Sequence, residues 1–176
     1  MKSNIGRDCR ERWGASAGCP LADDAHNRNV IRMSQLVLKY QYDASFLASR
    51  QKGDDFGRLS LSVSTSRFAG NGAFWVQWQD VKEFGEALAT FPITSPVVVQ
   101  WGYDMQEGND LILKVEIAPA DKRGTLIVRF EIADEFETDE RVRGSFMTHY
   151  PELDAFRVAI GKMMKCEAQE AVLAGS

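Results

Sequence analysis

The chain has 176 residues, enough for one domain with a sizeable core, and at 44% hydrophobic and 26% charged residues it has the make-up of an ordinary globular protein. No apolar run approaches the ~18–20 residues of a membrane span. The net charge of -4 argues against nucleic acid as a partner, because phosphate binding needs clustered Lys and Arg.

Residues 1–32 differ from the rest. They show no apolar period, are rich in Gly and small side chains, and carry a net charge of +2 against -6 for the remainder. They lack the apolar core of a secretory signal and read as a disordered leader or upstream extension, or as a basic tail. Met33 is then expected to open a single domain over 33–176.

From Met33 onward, alternation of apolar and polar residues marks strands with one buried face. It is visible in Leu36, Leu38, Tyr40 and Tyr42, and again in Leu59, Leu61 and Val63 set against Ser60, Ser62 and Ser64. Gly70-Asn71-Gly72 is expected to form the tight turn before the next strand, Phe74–Trp78. Because these glycines precede a strand, they do not read as a phosphate loop, whose glycines open a helix.

A helix is predicted from Asp80, capped through Asp80 and Glu83, with Val81, Phe84, Leu88 and Phe91 on its buried stripe and Pro92 ending it. Four strands follow, near 96–102, 110–118, 124–133 and 140–149. The short connections between them imply an antiparallel meander. A second helix starts at Pro151 and buries Leu153, Phe156, Ile160 and Met163 or Met164, and a short helical stretch is expected over 167–173. The expected fold is therefore α+β: a curved, mostly antiparallel sheet of about seven strands, packed on two amphipathic helices.

Chemistry-bearing residues are sparse. Cys9, Cys19 and Cys166 are too scattered for a disulfide framework. With only His26 and His149 to join them, no zinc site is expected, and a reducing, cytoplasmic compartment follows. No cofactor motif stands out, and no Ser or Cys has a histidine beside it. His149, at the entrance to the second helix, reads as a capping or packing residue. Cys166, at a helix end where the dipole disfavours a thiolate, reads as inert.

Carboxylates are the stronger feature. Five of the seven residues from Asp134 to Glu140 are acidic, and Asp104, Glu107 and Asp110 sit in the loop between the first two meander strands. Alternate loops of a meander emerge at one end, so both acidic loops are expected on one sheet edge, with the Asp121–Gly124 turn at the other. This edge, including Glu135, Glu137, Asp139 and Glu140, reads as a solvated loop or as a docking surface for a basic protein. Its spacing does not match a calcium loop.

The run Tyr42-Asp43-Ala44-Ser45-Phe46-Leu47, the serine-alternating strand, Phe74-Trp75-Val76 before a helix, and Gly144-Ser145-Phe146 before a terminal helix resemble the layout of WapI-type bacterial immunity proteins and neighbouring uncharacterised small α+β families. That resemblance implies a protein that neutralises a toxin domain by binding it, without catalysis. An alternative is a small-molecule binder or enzyme with a pocket between sheet and helices, where Tyr40, Trp101, Tyr103 and His149 would be the polar handles. A homo-oligomer built through an exposed strand and its aromatics is a third reading.

Overall fold

Residues 33–43, 55–103, 111–137 and 139–176 are described by the computed structural model. They form eight strands and two helices: β1 (Gln35–Tyr42), β2 (Phe56–Ser64), β3 (Ala69–Gln77), α1 (Trp78–Ala87), β4 (Val97–Gly102), β5 (Leu111–Pro119), β6 (Thr125–Ala133), β7 (Arg141–His149), α2 (Tyr150–Met164) and β8 (Glu170–Ala174). The expectations for residues 1–32, including Cys9, Cys19 and His26, lie outside the described residues.

The α+β class is as expected, but the strands divide into two antiparallel sheets of four rather than one sheet of seven, in the orders β3-β2-β1-β8 and β4-β5-β6-β7. The second sheet is the expected meander. The first owes its fourth strand to residues expected to be helical. Over Glu170–Ala174, Ala171 and Leu173 are fully buried while Val172 is 39% exposed, the period of a strand. A segment this short is ambiguous by pattern alone, and the open side of β1 decides it: Leu36 lies opposite Leu173 and Leu38 opposite Ala171.

The inner faces follow the alternation. Leu59, Leu61, Val63, Leu126, Val128 and Phe130 are all buried and share one core with Leu153, Phe156, Ile160 and Met163 of α2. Burying a side chain of this size contributes roughly 1.5–3 kcal/mol. The helices meet where α1 has Gly85: a Cβ there would lie 2.8 Å from Ile160 Cγ2. The rings of Phe84 and Phe156 pack edge to face nearby, with centroids 6.4 Å apart.

α1 departs from expectation at both ends. It starts at Trp78 with Gln77 as N-cap and no side-chain cap bond, so the Asp80–Glu83 capping box does not form. It ends before Phe91, which is 76% exposed and packs edge-on to Tyr150 rather than in the core. α2 ends in a paired-bond turn, with Cys166 N–H donating to Met163 O and Glu167 N–H to Lys162 O, and with Cys166 left-handed at φ 60°.

Gly70-Asn71-Gly72 is not a turn. The β2–β3 connection is made by Thr65, whose hydroxyl accepts from Phe68 N–H at 3.0 Å. The three residues lie within β3, with Gly70 opposite Val63, Asn71 opposite Ser62 and Gly72 opposite Leu61. Their role is close approach. A Cβ on Gly70 would fall 2.5 Å from Val142 Cγ1, and one on Gly72 2.5 Å from Ile132 Cγ2. The missing side chains let the β6–β7 hairpin pass tightly against β3. At the far corner the sheets are tied by Thr148, whose hydroxyl donates to Ala174 O at 2.7 Å, and by Ser176 N–H donating to Met147 O.

Candidate functional site

The tip of the β6–β7 hairpin is built by its first residue. Asp134 Oδ1 accepts from Phe136 N–H at 2.8 Å and from Glu137 N–H at 2.9 Å, and Asp134 N–H donates to Glu140 O. Those two backbone donors hold the Asp134 carboxyl below its ordinary pKa. The turn is fixed from within, and it leaves Phe136 85% exposed. Glu137, Asp139 and Glu140 are also exposed and make no ion pair among the described residues.

Glu135 behaves differently from its neighbours. Only 14% of its side chain is exposed, and it accepts from Arg58 Nη2 at 3.1 Å and from the Tyr103 hydroxyl at 2.9 Å. It therefore fastens the tip to β2 and to the end of β4, and it is not a free carboxylate on a docking edge. Sharing its proton with Glu135 pushes the Tyr103 hydroxyl pKa up. Glu131, further down the hairpin, is paired with both Arg141 and Arg143. Burial favours its protonated form, but hydrogen bonds from Arg143 and Arg141 outweigh this and hold its pKa low.

Between the tip and the outer face of β2 and β3 runs an open cleft of about 660 Å³. One wall is Arg58, Ser60 and Ser62 with Asn71; the other is Glu135, Phe136, Glu140 and Arg141. Trp75, directly opposite Arg58 across the strand pair, is 43% exposed and has the guanidinium 6.0 Å from its ring centre. Trp75 thus belongs to this outer surface. The cleft gathers donors and acceptors of both charges, so it suits hydrogen bonding to a polar partner surface. Sequence reasoning did not reach Arg58, Ser60, Ser62, Asn71 and Arg141. For Arg58, Ser60 and Ser62 the only signal was an arginine heading a strand face of serines.

Of the expected acidic edge, Glu135, Glu137, Asp139 and Glu140 lie on this tip, while Asp104, Glu107 and Asp110 lie outside the described residues. The meander places the Asp121–Gly124 turn at the opposite end. There Asp121 Oδ1 accepts from Thr125 and Arg123, which lower its pKa, and Gly124 adopts φ 93°.

The four expected pocket residues do not converge. Tyr40 is buried, with its hydroxyl donating to Val76 O at 3.1 Å. Trp101 is buried on the inner face of β4, which settles the orientation of that strand. Tyr103 is exposed and bonded to Glu135. His149 pairs with Thr125, at the end of β6–β7 remote from Arg141 and the tip. The space between sheet and helices is filled instead by Phe84, Leu153, Phe156, Ile160 and Met163. His149 occupies the N-cap position of α2, as a capping residue would, but it is exposed and its side chain makes no cap hydrogen bond.

Among the described residues no three of His, Cys, Asp and Glu are grouped so as to hold a metal ion, and no helix is long and apolar enough to cross a membrane. No protein-family model matches this chain, and no curated protein does.

Proposed function

We propose that this chain is a non-enzymatic binding protein that engages a basic protein partner through the β6–β7 tip and the cleft beside it. The observation that carries this reading is Phe136, 85% exposed beside the Asp134 turn bonds, with Glu137, Asp139 and Glu140 close in sequence, exposed and making no ion pair among the described residues. An exposed aromatic anchor with a charged rim is the anatomy of a protein interface: the ring supplies affinity, and the carboxylates steer a cationic partner and raise its on-rate. Arg58 and Tyr103 support the tip through Glu135, which lowers the ordering cost of binding.

Neutralisation of a toxin domain, as the likeness to WapI-type immunity proteins implies, is the most specific form of this role, and a cytoplasmic setting goes with it. The test is co-purification at low salt with the products of neighbouring genes. A basic partner should be retained by the native protein and lost on Phe136→Ala, with a steep salt dependence that Glu137→Lys and Asp139→Lys abolish. Retention of no basic partner at micromolar concentration would overturn the reading.

A further inference from the structure

A second surface, sharing no residue with the cleft at the tip, lies between the two helices. It is a groove of about 420 Å³ with an apolar floor that includes Trp78, Ile160 and Met164. Its rim carries Lys82, Arg157 and Lys165, with two carboxylates beside them, Glu86 next to Lys82 and Asp154 next to Arg157. On a chain of net charge -4, this is a local reversal of sign.

The two glycines of the groove differ in a telling way. Gly85 is explained within the chain, since Ile160 occupies the space a Cβ would need. Gly161 is not: it lies inside α2, is exposed, and a Cβ there would meet nothing within 4 Å. Glycine is unfavourable in a helix interior relative to alanine, and here no internal contact compensates for it. The surface of α2 is bare at this point.

The placement of the cations says what kind of occupant fits. Lys82 is on α1, while Arg157 is on α2 and Lys165 caps its C-terminal end, about two turns or 12 Å further along the axis. Charges spread along a groove match carboxylates spread along an elongated partner; one anionic headgroup would call for cations gathered at one end. Two of the three have partners at the surface: Lys82 reaches Glu86 at 3.5 Å and lies 6.0 Å from the centre of the Trp78 ring, and Arg157 donates from Nε and Nη2 to Asp154 at 3.1 and 2.7 Å, both in exposed pairs along their own helix. Such pairs contribute little and exchange readily. Lys165 has no ion-pair partner among the described residues.

We infer that the α1–α2 groove docks an amphipathic helix of a partner protein, with apolar side chains on Trp78, Ala89 and Met164 and acidic residues along its flanks. Gly161 is where that helix comes closest. This inference stands apart from the role given to the hairpin tip, and either can fail alone.

The probe is a fluorescein-labelled peptide of about 18 residues, long enough to form a helix on a surface, with leucines on one face and glutamates on both flanks. A matched peptide carries lysines in place of the glutamates. Anisotropy titrations of the full chain at low salt should show the acidic peptide binding about tenfold or more tightly than the basic one. Gly161→Trp, whose side chain enters open space, should abolish binding while circular dichroism and melting stay native-like. Combined Lys82→Glu, Arg157→Glu and Lys165→Glu should invert the preference, and because all three lie at the surface this variant tests the idea even if Gly161→Trp fails to fold. Equal binding of the two peptides, binding unchanged by Gly161→Trp, or no binding of either would overturn the inference. So would a dimer in light scattering that Gly161→Trp dissociates, since the groove would then belong to a second copy of the chain.

Discussion

The cleft at the hairpin tip and the groove between the helices are both open, yet they are made in opposite ways. At the tip, Gly70 and Gly72 are forced by packing: Val142 and Ile132 stand where their side chains would be, and the walls are charged pairs fixed by Arg58, Glu135 and Tyr103. Between the helices, Gly161 answers to no neighbour, and the walls are exposed pairs with little hold on one another. A glycine that packing demands speaks of architecture, whereas one that packing does not demand speaks of what comes from outside.

Substitutions test that contrast directly. The largest effect is expected from Gly72→Val, which drives a branched side chain into Ile132 and Leu113; denaturant unfolding should show a loss of about 3 kcal/mol. Glu135→Ala leaves the Arg58 guanidinium and the Tyr103 hydroxyl without their shared acceptor and should cost about 1–2 kcal/mol by the same measurement.

Acid separates the regions next. Asp134 and Glu131 have lowered folded pKa values, so the stability they contribute is full above the unfolded value of about 4 and is lost as pH falls through the folded values. Hydrogen exchange between pH 5 and 3 should show the β6–β7 tip loosening before the α1–α2 pair, and Glu131→Gln should flatten the dependence of melting temperature on pH.

Two smaller gains complete the series. Cys166→Gly relieves a left-handed backbone at the end of α2 and should stabilise by about 1 kcal/mol. Gly161→Ala should stabilise by about 0.5–1 kcal/mol, because the groove has room for the methyl group. A loss on Gly161→Ala would end the contrast between the two kinds of glycine.

The legible part of this fold was its faces. Period two over Leu59–Val63 and Leu126–Phe130, and helical spacing over Leu153–Met163, are local signals, and they assigned the inner side of most elements. What could not be read locally was partnership. Nothing near Gly70 announces that Val142 will lie against it, so a glycine pair used for close approach looked like a turn. Five residues at 170–174 carry too little pattern to choose between helix and strand until β1 offers them an edge. The site suffered in the same way: the acidic tip is plain in the sequence, but its main support comes from Arg58, 77 positions away, and from Tyr103. The proposed pocket failed because His149 and Tyr103, both polar and near strand ends, belong to different ends.

The pairing of β1 with β8 also shapes how the chain comes into being. During synthesis β1 emerges early and finds β2 and β3 soon after, but its other side stays bare while the whole meander and both helices are made. Until residues 170–174 arrive, a row of unsatisfied backbone groups faces the crowded cell, where any stray strand can capture it. Nascent chains stalled before that point should therefore be bound by chaperones and sensitive to proteases, and both properties should vanish once β8 clears the ribosome.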